Sequence, residues 1–127
     1  MTDRQRIQIG GVRVKAGESA DIRLEISETY TGDKIRIPLR VIRARKPGPS
    51  VFVTAAIHGD EINGTGIIHD FLFGTGFELG TGMLVLAPVV NVFGFEAHER
   101  YLPDRRDLNR SFPGSKHILT HISGIIF

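Results

Sequence analysis

A chain of 127 residues with a formal net charge of +2, 41% hydrophobic and 24% charged residues has the size of one domain and the composition of a chain that folds. It contains no cysteine, which excludes a disulfide framework, a thiol nucleophile and a thiolate metal site. The arginines are scattered rather than clustered with aromatics between them, which argues against nucleic acid, and no apolar run approaches the roughly 20 residues that cross a bilayer. The polar start MTDRQRIQ lacks the apolar core of a signal peptide, so a soluble, cytoplasmic protein is expected.

The first third alternates apolar and charged residues with period two. IQIGGVRV, ADIRLEISETY and KIRIPLRVIRA predict antiparallel strands with one wet face, joined by turns at Gly10-Gly11, Gly17 and Thr31-Gly32-Asp33. Lys46-Pro47-Gly48-Pro49-Ser50 breaks that pattern, and residues 51–57 are apolar without alternation, which predicts a strand covered on both faces. Over residues 61–73, Ile62, Ile67, Ile68, Phe71 and Leu72 fall near helical spacing, and four glycines from Gly74 to Gly82 then mark a loop. A second apolar run over residues 83–90 completes a strand, helix, strand unit, which in one sheet is a parallel crossover. Residues 91–115 follow as a long loop rich in charge and turn formers, a length usually kept for function. The expected organisation is one α/β domain: antiparallel strands over 1–46, the parallel unit and a substrate loop over 51–115, and a short apolar tail over 116–127.

A parallel crossover brings the carboxyl ends of both buried strands to one sheet edge, where open α/β sheets bind ligands. His58-Gly59-Asp60-Glu61 and the 91–115 loop both leave from that edge. An imidazole and a carboxylate three residues apart across a tight turn can converge on zinc, which accepts nitrogen and oxygen ligands and keeps a position open in catalytic sites. A bare H-x-x-E also occurs where the Glu is simply a first-turn helix residue favoured by the dipole. In the loop, Asn109-Arg110 is suited to gripping a carboxylate, since a guanidinium binds one through two parallel hydrogen bonds and an amide adds a donor. Arg100 can polarise a second oxygen. The other reading of this loop is a solvated surface whose Asp and Arg residues pair with one another.

Together, HGDE, NVFGFE, RYLPDRRDLNR and SFPGS resemble the succinylglutamate desuccinylase and aspartoacylase family, zinc hydrolases related in fold to zinc carboxypeptidases. The resemblance implies a mixed sheet with a parallel strand, helix, strand core of the zinc carboxypeptidase type. It further implies that His58 and Glu61 are zinc ligands, that Arg100 helps polarise the scissile carbonyl, and that Asn109 and Arg110 hold the substrate carboxylate. The implied chemistry is zinc-dependent hydrolysis of an N-acyl amino acid or a related small acidic amide, with a non-catalytic remnant or assembly module and a carboxypeptidase-like peptidase as the alternatives. In the family the third zinc ligand is a histidine well beyond the DLNR motif and the catalytic glutamate lies further on, so an incomplete site is expected here. The tail HILTHISGIIF departs from the family pattern; His117 and His121, four apart, are weighed as substitute ligands, and Glu96 and Glu99 as substitute bases, against the reading that they, His69 and His98 are surface residues. Missing sheet neighbours would leave the 51–57 and 83–90 strands short of cover, and either self-association through that surface or disorder in part of the chain is expected.

Overall fold

Period-two alternation is realised as two antiparallel units. In this computed structural model, which describes residues 7–74 and 76–110, strands β1 (Ile7–Ile9) and β2 (Val12–Val14) form a hairpin about Gly10 and Gly11. Strands β3 (Ser19–Glu28) and β4 (Lys34–Arg43) pair antiparallel with Ile22 opposite Leu39 and Leu24 opposite Ile37. Because successive side chains of a strand point to opposite faces, Ile22, Ile26, Ile37, Leu39 and Val41 fall on one face and are buried, while Asp21 and Arg40 pair on the other at 3.0 Å.

Strand β5 (Lys46–Thr54), helix α1 (Asn63–Phe73) and strand β6 (Thr81–Ala87) form the expected parallel unit, and the main sheet has the order β3-β4-β6-β5. β6 is antiparallel to β4 and parallel to β5. It is the strand covered on both faces: Met83, Val85 and Ala87 join the core of β2, β3 and β4, whereas Leu84 and Leu86 pack with Ala55 and Ile68 beneath α1. The expectation that this strand lacks cover is therefore corrected.

β5 departs from expectation in two respects. Residues 46–50 do not end the sheet pattern but open the strand, with a shift of register between Lys46 and Ser50. The strand is not covered on both faces; it lies at the end of the sheet, and Val51, Phe52 and Val53 are 49%, 48% and 38% exposed. Prolines are tolerated there, since an end strand has a side where a missing N–H breaks no ladder bond.

The stretch after β6 is also more structured than a loop. It holds a short helix, α2 (Val92–Ala97), and a 3-10 turn, Leu108–Arg110. Leu102 and Leu108, 2% and 0% exposed, tie the segment between these two elements into the main core. Fully burying a leucine is worth about 1.5–3 kcal/mol, enough to fix a segment that otherwise reads as charged surface. No described helix is long and apolar enough to cross a membrane. His117, His121 and the rest of the tail lie outside the described residues.

Candidate metal and substrate site

β5 and β6 stay tied together beyond their last paired residues, through Ala55 N–H to the Ala87 carbonyl, Val90 N–H to the Ala55 carbonyl and Asn91 N–H to the Ala56 carbonyl, each at 3.0 Å. These bonds bring the chain toward His58 and the chain toward α2 out of the sheet side by side. Ala56 is left-handed, with φ 53°, a conformation that costs a non-glycine residue about 1–2 kcal/mol. It turns the backbone just before His58. Three residues after Ala56, Gly59 is pressed against the backbone of α2, and a Cβ there would collide with Gly94 C, Phe95 N and Glu99 O.

His58 is buried and has both ring nitrogens engaged. Nε2 lies 2.8 Å from Asp107 Oδ1, and Nδ1 lies 3.3 Å from Glu61 Oε2. α1 begins at Asn63 with Ile62 as its N-cap, so Glu61 precedes the helix rather than standing in its first turn. Its carboxylate faces His58 and Arg100 instead. Arg100 Nη1 is 3.3 Å from Glu61 Oε1 and Nη2 is 3.8 Å from Asp107 Oδ2. The structure thus joins His58, Glu61 and Arg100, all singled out in the sequence, around Asp107, which was not.

Asp107 sits between opposing influences. Partial burial pushes its carboxyl pKa up, but the hydrogen bond from His58, the Asn109 backbone N–H at 2.9 Å and the nearby charges of His58 and Arg100 outweigh that, and its pKa is lowered. The ionised Asp107 holds the ring at Nε2 and leaves Nδ1 as the nitrogen turned toward Glu61. This is the orientation that a carboxylate imposes on a metal-binding histidine. No spacing in the sequence marks Asp107 for this role; it is recognised by its contact with His58.

Whether the pair fits a zinc ion can be tested on its spacing. Two donors each 2.0–2.1 Å from a tetrahedral zinc stand about 3.3–3.4 Å apart, and His58 Nδ1 and Glu61 Oε2 are 3.3 Å apart. Glu61 is 63% exposed, so it has freedom to turn toward a ligand. The pair fits. Among the described residues no group of three or more His, Asp or Glu side chains forms a complete metal cluster.

Asn109 and Arg110 lie in the 3-10 turn with exposed side chains, one and two residues beyond the buried Leu108. Their backbone N–H groups are taken by Asp107, at Oδ1 and at the carbonyl, so the turn is rigid while its side chains face solvent. Arg106 pairs with Asp104 at 3.8 Å, so the surface-pairing reading holds for that part of the segment. His69 is exposed on α1, against the Phe73 ring at 4.6 Å, and His98 caps the carboxyl end of α2. Glu96 and Glu99 are exposed.

Residues 47–121 match the Succinylglutamate desuccinylase/Aspartoacylase catalytic domain, which is more than half of the chain, and the chain belongs to that family. It is 33% identical over 81 residues to the N-alpha-acetyl-L-2,4-diaminobutyric acid deacetylase of Halomonas elongata, a match covering 63% of this chain and 23% of the relative. Among solved structures it resembles the product-bound ectoine utilization protein EutE (DoeB) of Ruegeria pomeroyi, with a TM-score of 0.73, 33% identity, and 86% of this chain and 35% of that one covered. A succinylglutamate desuccinylase from Silicibacter sp. TM1040 gives 0.71, 31%, 87% and 34% for the same quantities. The chain thus spans about a third of the length of these solved relatives and shares their fold over that part.

Proposed function

We propose that this chain carries the metal-binding and carboxylate-gripping part of a zinc-dependent deacylase acting on N-acyl amino acids or related small acidic amides. The observation that carries the reading is the His58 ring, held at Nε2 by Asp107 with Nδ1 turned to Glu61 at 3.3 Å. The Halomonas relative bears the name of an N-acetyl amino acid deacetylase, which supports a substrate of that class.

Bound zinc would supply Lewis acidity at the scissile carbonyl and lower the pKa of the attacking water. His58 and Glu61 would hold it. Asp107 fixes the imidazole in orientation through Nε2. Arg100, on the Glu61 and Asp107 side of the site, would bind the acyl oxygen as negative charge develops there. The Asn109 amide and Arg110 guanidinium would take the substrate carboxylate, Arg110 through paired N–H donors. A second reading, that the chain binds acidic amides without hydrolysing them, is favoured by the two rather than three candidate ligands brought together among the described residues.

The test is binding and turnover of N-acetyl and N-succinyl amino acids, beside short peptides, by the zinc-supplemented chain and by Arg110→Ala. A charge-assisted bond is worth about 1.5–3 kcal/mol, so Arg110→Ala is expected to weaken acyl amino acid binding by about 10–100-fold. Zinc-dependent product formation supports the deacylase, and Arg110-dependent binding without turnover supports the second reading. Preference for peptides would shift the assignment to a carboxypeptidase-like activity, and binding indifferent to Arg110 would sink the carboxylate assignment.

A further inference from the structure

Asn91 is the one fully buried polar side chain among the described residues, and it belongs to none of the candidate ligand or substrate positions. A buried amide is costly unless its hydrogen-bonding groups are met. Here its backbone N–H donates to the Ala56 carbonyl at 3.0 Å and its carbonyl accepts from Phe95 N–H at 2.9 Å. The side-chain Oδ1 accepts from Gly94 N–H at 2.9 Å, which caps α2, and Nδ2 donates to the Arg100 carbonyl at 3.3 Å. One residue therefore ties together the turn two residues before His58, the start of α2 and the backbone of Arg100.

We infer that Asn91 is a positioning residue that sets Arg100 against Glu61. The inference rests on the proposed role of Arg100 in the deacylase site. Arg100 is the first residue after the turn that closes α2, and its guanidinium must cross from there to reach Glu61 at 3.3 Å. Glu99 N–H is bonded to the Gly94 carbonyl at 2.8 Å, which fixes the residue before Arg100. The Arg100 carbonyl is fixed by Asn91 Nδ2. With its backbone pinned on both sides, a long side chain of 43% exposure searches fewer orientations before meeting the carboxylate, and less entropy is lost on contact. A cap alone requires only the Oδ1 acceptor, and serine or aspartate would serve it as well as asparagine. The Nδ2 donor is what asparagine adds.

The two bonds can be separated in the intact 127-residue chain. Asn91→Asp and Asn91→Ser both keep an oxygen for Gly94 N–H and remove the donor to Arg100. NMR of the Gly94 amide reports the cap; the Arg100 Nε–H signal, assigned with Arg100→Lys, and its displacement by Glu61→Gln report the contact. In either variant the Gly94 amide is expected to stay near its wild-type position, while the Arg100 signal moves to that of solvent-exposed arginines and stops responding to Glu61→Gln. An Arg100 signal and Glu61 response unchanged in a folded variant would overturn the inference.

Should both variants unfold, the wild-type chain decides. Slow solvent exchange of the Asn91 side-chain amide protons supports the bond to Arg100, and exchange at the rate of a free amide overturns it. None of these signals needs zinc or turnover. A chain that takes up no zinc therefore counts against the deacylase alone, and a zinc-loaded chain whose Arg100 ignores Asn91 counts against this inference alone.

Discussion

Gly59→Ala is expected to be among the most damaging single substitutions in the described part of the chain. The added methyl would fall on Gly94 C, Phe95 N and Glu99 O, all backbone atoms of α2 and its closing turn. No side-chain rotation relieves such a contact, so either α2 or the His58 segment must move. Overpacking of this kind costs about 1–3 kcal/mol and occasionally more, and contact with fixed backbone belongs at the upper end. Against a total stability of about 5–15 kcal/mol for a domain, the loss is plainly measurable as a lowered urea midpoint. It should be accompanied by loss of the His58 and Asp107 contact, seen in the imidazole NMR signals. Gly66 provides the control, because a Cβ there meets nothing within 4 Å, and Gly66→Ala, in the interior of α1, should be neutral or stabilising. Equal midpoints for the two variants would show that Gly59 has room.

Leu108→Ala is expected to remove about 2–5 kcal/mol, the range for truncating a buried leucine. Leu108 is 0% exposed and packs in the main core, while its neighbour Asp107 contacts His58 and its neighbour Asn109 is exposed. Its second effect is local: without that anchor the turn presenting Asn109 and Arg110 loses its footing, and Asp107 no longer has a fixed position beneath the His58 ring. Both a reduced unfolding free energy in urea and faster exchange of the Asn109 backbone N–H, bonded to Asp107 Oδ1 at 2.9 Å, should follow. A stability change below about 0.5 kcal/mol, the range of ordinary surface substitutions, would contradict the packing described for this segment.

How much of this was legible before the structure depends on the element. β1 to β4 were readable because each has one wet face, and alternation records that directly. Residues 51–57 carry the composition of a doubly covered strand, yet a strand's place in the sheet is set by which neighbours exist, and β5 is at the end. Pro47 and Pro49 read as a break because proline interrupts most strands; at an end strand they do not have to. α2, six residues long, is too short to show helical periodicity, although Asn91 three residues before Gly94 is an N-cap pattern that could have marked it.

The site was legible where the chemistry is carried by unusual residue pairs. His58 with Glu61, and Asn109 with Arg110, stand out by type and spacing. Asp107 and Asn91 do not, because a carboxylate that orients a histidine and an amide that ties backbones together are recognised only by what they touch. Leu102 and Leu108 were hidden for a related reason: single apolar residues within charged surroundings have no period, and only the three-dimensional arrangement shows that both reach the core.

Zinc stoichiometry is the most direct measurement of the central claim, taken on the intact chain, on His58→Ala and on Glu61→Gln after equal exposure to the metal and removal of the excess. If His58 Nδ1 and Glu61 form the core of a metal site, the intact chain retains zinc and each substitution sharply lowers the amount retained. Equal zinc in all three proteins would contradict the assignment and leave the His58, Glu61 and Asp107 cluster as an ion-pair network without a metal.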